Sequence, residues 1–166
     1  MAYKTIKLKK YSDIIEEITA TAAAITPGML VEQFYSGTSF RVRAHSNAAQ
    51  NALPMFALED ELQGKGINDN YPVSAKIQVW IPNRGDQVYA ILADGESVVI
   101  GDFLESNGAG LLQKHVEDID SSAKENTIYS NVIVAQALET INISTSSGLE
   151  SSGDLGYDKR IRVRII

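Results

Sequence analysis

Residues Val73 to Leu104 read VSAKIQVWIPNRGDQVYAILADGESVVIGDFL, and this stretch decides the fold class. From Ala75 to Ile81, Ile77, Val79 and Ile81 alternate with Lys76, Gln78 and Trp80. That period of two marks a half-buried strand. Pro82-Asn83-Arg84-Gly85-Asp86 stops it, because Pro presets φ and Asn and Gly tolerate positive φ. Gln87 to Ala93 is a second strand, Asp94-Gly95 a hairpin signal, and Ser97 to Ile100 a third strand. Gly101-Asp102 turns the chain again into Phe103-Leu104. Apolar runs joined by such short turns predict an antiparallel meander on which the rest of the chain packs.

A chain of 166 residues suits one domain that buries about 70% of its unfolded surface. Cysteine is absent, so no disulfide staples the fold; this suits a reducing compartment. The basic stretch Lys4 to Lys10 has no apolar h-region behind it, and no stretch approaches the ~20 apolar residues of a membrane span. These features predict a soluble, unprocessed protein with no membrane partner.

The net charge of -6 is unevenly spread. Lys4, Lys7, Lys9 and Lys10 lie in the first ten residues and Lys159, Arg160, Arg162 and Arg164 in the last eight, with no acid in either segment. The other seven basic residues share residues 11–158 with all 21 acids, a balance of -14. An acidic body with two basic ends argues against nucleic acid as a partner, since such a binder needs a broad basic face. It suits ends that reach an acidic protein or fold back on their own body.

In chain order, Tyr3 to Lys10 alternates Ile6 and Leu8 with Lys7 and Lys9, as an arm adding a strand to a neighbour or as a lysine-guarded edge strand. Residues 1–10 are thus read as a basic N-terminal arm and 11–166 as a single β-rich domain. Ile15 to Thr21 is read as a strand, although Ile14, Ile15 and Ile18 behind Ser12 also fit a helix. Pro27-Gly28 is a type II turn signal between this strand and Met29 to Glu32, and Phe40 to Ala44 alternates as another strand. His45 to Leu53 is read as a loop and Pro54 to Leu58 as a short buried strand, after which Glu59-Asp60-Glu61 exits to solvent. Gln63 to Asn70 lacks phosphate-loop spacing. Leu111 to Val116 is a short strand expected beside Ser97 to Leu104, and Glu117 to Asn126 is an acidic loop. Ile128 to Leu138 is a β-branched strand, and Ile141 and Ile143 continue it weakly. Ser144 to Gly156 is a Ser/Thr/Gly-rich loop. Lys159 to Ile166 is a terminal strand with Ile161, Val163 and Ile165 inward and its arginines outward. The fold class expected is mainly β: a compact antiparallel β-barrel or β-sandwich with short hairpins, long loops and an extended N-terminal arm.

Catalytic signals are thin. His45 and His115 sit in no nucleophile or zinc motif, and HExxH, GxSxG and CxxC are missing. A triad of Ser46, His45 and an aspartate is the one nucleophilic arrangement weighed. Asp60, Glu61 and Asp69 do not match a calcium loop, and a solvated acidic loop is the expectation. Arg84-Gly85-Asp86 matches an adhesion tripeptide but also suits a turn. Trp80, Tyr71, Tyr89 and Phe56 fit either an aromatic ligand patch or a core. No cofactor, no metal and no enzymatic activity are expected.

One resemblance runs through nearly the whole chain. Its segments, in order, are Glu17-Ile-Thr-Ala, Ile25-Thr-Pro-Gly-Met-Leu-Val-Glu32 and Pro54-Met-Phe-Ala-Leu-Glu-Asp60. Val79-Trp-Ile-Pro82, Gly85-Asp-Gln-Val-Tyr-Ala90 and Gly101-Asp-Phe-Leu-Glu-Ser106 follow, then Ile133-Val-Ala-Gln-Ala-Leu-Glu139 and the terminal Arg-Ile-Arg-Val. The chain resembles the small capsid decoration, or cement, proteins of tailed bacteriophages. That resemblance implies a structural protein on the outer surface of the mature head, present in the host cytoplasm during assembly. It implies the major capsid protein and a homotrimer of itself as partners. Tyr3, Lys4, Ile6, Lys7, Leu8, Lys9, Lys10, Arg160, Arg162 and Arg164 are the expected contact residues. The other readings are a tail, baseplate or adhesin β-module and a small β-barrel enzyme.

Overall fold

The computed structural model describes residues 4–9, 15–21, 25–120, 125–127, 131–145 and 160–166. The chain is mainly β, with every pair of named strands antiparallel, as the alternating patterns require. One 3-10 turn, Glu61–Gln63, is the only helical element among the described residues.

The largest sheet has six strands. They are β1 (Lys7–Lys9), β7 (Gln87–Ile91), β15 (Arg160–Ile165), β13 (Ile133–Ala137), β9 (Phe103–Ser106) and β10 (Leu112–Lys114), in that order across the sheet. A second sheet sets β2 (Ile15–Thr19) and β5 (Phe56–Ala57) on either side of β6 (Lys76–Trp80). The hairpin β3 (Val31–Ser36) and β4 (Ser39–Ala44) turns on Gly37 at φ +65°. The pairs β8 (Ser97–Val98) with β14 (Ile141–Asn142) and β11 (Asp118–Asp120) with β12 (Glu125–Thr127) complete it. The six-stranded sheet curls without closing into a barrel: its last strand meets the chain just past β7 through a single bridge, Leu92 to Leu112.

The strands of the Val73 to Leu104 stretch form where alternation places them, but they do not pair with one another. β6 joins β2 and β5, β7 lies between β1 and β15, β8 pairs with β14, and β9 lies between β13 and β10. The expected meander is therefore corrected: each short turn carries the chain from one sheet to another. Gly95 does take φ +80°, so Asp94-Gly95 is a tight turn, but one between sheets. The physical reason is burial. Ile77 and Val79 pack into one core with Val31, Val42, Met55 and Tyr71, while Trp80, Phe56 and Leu30 pack into another with Val88, Leu104, Val134 and Ile161. The sheet around β6 thus has apolar residues to bury on both faces, and needs a layer on each.

Other expectations are also corrected. Glu59 and Asp60 do not leave for solvent; both are buried. The Glu59 carboxylate accepts hydrogen bonds from Ile6 N (3.2 Å) and from Thr5 Oγ1, which holds the N-terminal segment to the body. The acidic segment from Glu117 contains the β11–β12 hairpin in place of a loop. β10 lies, as expected, beside the Leu104 end of the Ser97 to Leu104 segment, with Lys114 opposite Leu104 and His115 N donating to Phe103 O, but its pairing runs on to Ser106 along β9 and does not reach Ser97. Residues 128–130 of the expected Ile128 to Leu138 strand and 146–156 of the Ser/Thr/Gly-rich loop lie outside the described residues.

Pro27-Gly28 is the type II turn expected: Gly28 has φ +92° and Met29 N donates to Thr26 O at 3.1 Å. The turn then joins two sheets, because Gly28 N donates to Ala57 O (2.8 Å) and Ile91 N donates to Gly28 O (3.1 Å).

Two stability predictions follow from this packing. At Gly110, with φ +76°, an added Cβ would stand 2.9 Å from Ala44 Cβ and 3.0 Å from Leu30 O. Gly110→Ala should therefore cost about 3 kcal/mol, clash and left-handed strain together. Gly95→Ala, with open space around it, should cost only about 1 kcal/mol for the strain. Denaturant midpoints of the two variants test that order.

Tyr71 is buried in the core beneath β6, and its hydroxyl meets no acceptor in hydrogen-bonding geometry although it lies near the Gln78 backbone. Burial, reinforced by the nearby acidic charges of Asp60, Glu59 and Glu17, pushes its phenol up from 10 to about 12. The unfolded chain ionises Tyr71 first, so stability is complete below pH 10 and falls as pH rises towards 12. The loss attributable to this group should reach about 2–3 kcal/mol. Unfolding free energies from pH 9 to 12, with Tyr71→Phe as the comparison, should show a shallower decline in the variant.

Candidate functional site

The basic ends are the site expected from sequence, and the structure builds both into the body. Ile6 is fully buried; its carbonyl accepts from Tyr89 N (2.8 Å) and its N–H donates to the Glu59 carboxylate (3.2 Å). The expectation of Ile6 as a contact for a partner is corrected, because its side chain already fills the chain's own core. Lys7–Lys9 form β1, the terminal strand of the six-stranded sheet, paired with β7. Lys4 is exposed. Tyr3 and Lys10 lie outside the described residues.

The three arginines of β15 have different fates. β15 is the third strand of the sheet, between β7 and β13, so it offers no free edge. Arg160 is buried and does not face outward, a correction to both the strand reading and its contact role. Its guanidinium donates to Asn68 Oδ1 (3.0 Å), Pro27 O (3.2 Å) and Ile67 O (2.6 Å). Arg162 is half-buried and held by Glu139, with Nε to Oε1 at 2.6 Å and the backbone N–H on Oε2 at 3.2 Å. Arg164 is exposed. Period-two alternation places Arg160 outward; the Pro27 and Ile67 carbonyls, distant in sequence, provide the buried acceptors that alternation does not reveal.

The catalytic alternatives have definite positions. Ser46 does not engage His45; its hydroxyl donates to Glu32 Oε1 at 2.7 Å. His45 is buried, with Nδ1 2.8 Å from Ser106 Oγ and Nε2 3.3 Å from the Asn51 carbonyl, while Glu32 Oε2 lies 3.8 Å from Nε2, beyond hydrogen-bond distance. Ser106, His45 and Glu32 thus resemble a triad in order. Ser106 is fully buried and its hydroxyl also accepts from Gly108 N (3.1 Å), so no substrate carbonyl has an approach to it. The network ties the β9–β10 turn to β3. Burial pushes the Glu32 carboxyl up, but hydrogen bonds from Ser46 and Arg43 and the charges of His45 and Arg43 outweigh it and hold it below its ordinary value.

His115 lies beside Glu105, Nδ1 to Oε2 at 2.5 Å, and Gln113 Nε2 donates to Glu105 Oε1 at 2.8 Å. These groups flank an open groove of about 400 Å³ lined by Gly101, Asp102, Phe103, Lys114, Val116 and Glu117. Lys114 Nζ lies 2.8 Å from Asp102 Oδ2; its hydrogen bond holds the Asp102 carboxyl below the ordinary value. No group of three His, Asp or Glu side chains suited to a metal occurs among the described residues. Asp69 instead accepts from Gly66 N at 2.7 Å.

The Arg84-Gly85-Asp86 tripeptide is not displayed. Asp86 is fully buried and its carboxylate accepts from Asn83 N at 2.8 Å, while Gly85 and Asp86 bond to the Ile165 backbone. Trp80, Tyr71, Tyr89 and Phe56 are all buried and belong to the cores. Large exposed apolar side chains lie elsewhere: Tyr35 and Phe40 on the β3–β4 hairpin, Phe103 and Val116 at the groove with Val99 and Ile100 on the turn beside it, and Leu53, Leu62 and Val73 apart from both. Sequence reading missed both, because Tyr35 and Phe103 fit strand patterns that give no sign of which face stays uncovered.

No protein-family model matches the chain, and no curated protein matches its sequence. Among the described residues no helix is long and apolar enough to cross a membrane.

Arg160→Met should destabilise the chain by about 3 kcal/mol or more, since it leaves buried carbonyls of two loops unsatisfied. Arg164→Ala, on the exposed face of the same strand, should stay within about 0.5 kcal/mol of the native chain. Urea unfolding of the pair checks the assignment.

Proposed function

We propose that this chain is a non-enzymatic structural protein of a tailed-phage virion, a decoration protein that binds the outer surface of the mature head and stabilises its lattice. The major capsid protein and further copies of the chain, as a homotrimer, are its partners under this reading. Two things support it: the segment-by-segment resemblance along the sequence, and the arrangement of the large sheet's edges.

The second is the observation that carries the docking mode. At one side of the six-stranded sheet, β10 is capped: Ala93 N donates to Leu112 O (2.7 Å) and Lys114 N donates to Glu96 Oε2 (3.1 Å). At the other side, no described strand pairs with the far edge of β1. Among the described strands this is therefore the edge left to accept a strand from another protein, and it belongs to the segment of Lys7 and Lys9. Ile6 and Glu59 anchor it, so the edge is pre-ordered and little entropy is lost on docking. Exposed ion pairs at the lysines would add only ~0.2–1 kcal/mol each, so backbone pairing and repetition across a trimer supply most of the affinity.

Cosedimentation with expanded, undecorated phage heads tests the proposal. Truncating residues 1–10 would remove Ile6 from the core, so Lys4→Glu, Lys7→Glu and Lys9→Glu together are the better probe. Saturable binding of the native chain is expected, weakened several-fold in the triple variant and sensitive to salt. A native chain that stays in the supernatant overturns the decoration reading, and undiminished binding of the variant moves the contact away from β1.

A further inference from the structure

The β3–β4 hairpin projects an exposed aromatic pair. Tyr35 and Phe40 face each other in register, are 63% and 60% exposed, and pack edge to face with centroids 4.5 Å apart. The whole tip from Tyr35 to Phe40 is exposed. Nearer the body, Arg43 lies opposite Glu32 and bonds to it at 2.7 Å, and its guanidinium stacks over Phe34 at 4.6 Å, which fixes the hairpin's base. The prong is thus rigid, with its aromatic rotamers set by mutual packing, so holding it in a pocket costs little entropy. Residues 32–43 contain Arg41 and Arg43 and one acid, Glu32, which holds Arg43.

The groove beside β9 and β10 has the opposite character. Phe103 and Val116 line it, and Ile100 lies exposed on the adjacent turn. Residues 94–120, which include it, hold seven acids and one lysine. Prong and groove are both exposed in the single chain, so neither covers the other within one copy.

We propose that the Tyr35–Phe40 prong of one copy seats in the Phe103–Val116 groove of the next, a head-to-tail contact that closes into a ring. An apolar projection that carries Arg41 meets an apolar depression in an acidic region, and both belong to the same sequence. The contact is heterologous, since prong and groove are different surfaces; such a contact either closes into a cyclic oligomer or runs on as a filament. Two aromatics bury about 150–250 Å² each, well short of the roughly 800 Å² per partner of a standard interface. A single contact is therefore weak, and ring closure, which gives every copy two contacts, is what holds the assembly together.

The chain has no cysteine, so paired cysteines report the contact directly. One chain carries Thr38→Cys at the prong tip and a second carries Glu117→Cys at the groove; both positions are exposed. Mixed under mild oxidation, they should form a disulfide-linked pair about tenfold or more faster than Thr38→Cys mixed with Gln63→Cys, because docking raises the local thiol concentration. Adding Phe40→Asp to the first chain, or Phe103→Asp to the second, should remove that advantage. Sedimentation velocity should show the native chain associating with concentration and the Phe40→Asp chain monomeric, with matching circular dichroism. A monomeric native chain, equal trapping rates, or preferential Thr38-to-Thr38 trapping each overturns the proposal. The measurement needs no heads, so its failure leaves head binding standing, and failed head binding leaves it untouched.

Discussion

The buried guanidinium of Arg160 is the interaction on which the arrangement of layers depends. It enters the structure from a central strand of the large sheet and donates to Pro27 O, Ile67 O and Asn68 Oδ1. Those acceptors lie on the type II turn before β3 and on the loop before β6. One side chain thereby fastens the sheet that contains β15 to the two connections that lead into the other layers. Burying a cation is costly unless its donors are satisfied, and the turn carbonyls in turn need donors in a place water does not reach. The cost on each side is offset only when the layers are correctly stacked, so the pairing selects one stacking over others.

Glu59 does the matching task at the N-terminus. Its buried carboxylate takes the Ile6 N–H, and Ile6 fills space beside Gly28 and Val88 in the same core. A basic end and an acidic body are thus joined by one specific acid rather than by a diffuse field. The consequence is an edge strand held in place within the single chain. The aromatic prong is preorganised by a different device, cross-strand packing of Tyr35 on Phe40. In both cases the ordering is complete within the single chain, and under the proposed contacts it lowers the entropy lost on docking.

The polar network of Ser106, His45, Glu32, Ser46 and Arg43 shows how a constellation with catalytic residue types serves structure instead. Geometry alone brings a serine, a histidine and a carboxylate into sequence. Burial of the serine denies it a substrate, and the glycine next to it explains the close approach: a Cβ at Gly108 would stand 2.7 Å from Ala48 N. The network locks the β9–β10 turn onto the base of the hairpin that carries the prong.

Strand positions were legible in the residues because alternation of apolar and polar side chains is a local property of one strand. Ile77 and Val79, Ile161, Val163 and Ile165, and the Pro27-Gly28 turn all needed only their neighbours in sequence. Strand partners were not legible, because short turns do not oblige the strands they join to pair. Trp80 and Phe56 have to be buried on the face opposite Val79 and Ala57, and that demand sends β7 to a different sheet from β6. The fate of each charged residue was likewise hidden: Arg160 and Glu59 carry the same chemistry as Arg164 and Glu61, and only the carbonyls and amides that other segments bring to them decide that the first pair is buried. The sequence by itself determined a β protein with an acidic body and basic ends; the tertiary structure decided which edges and aromatic faces stay open, because exposure is set by what the remaining layers cover.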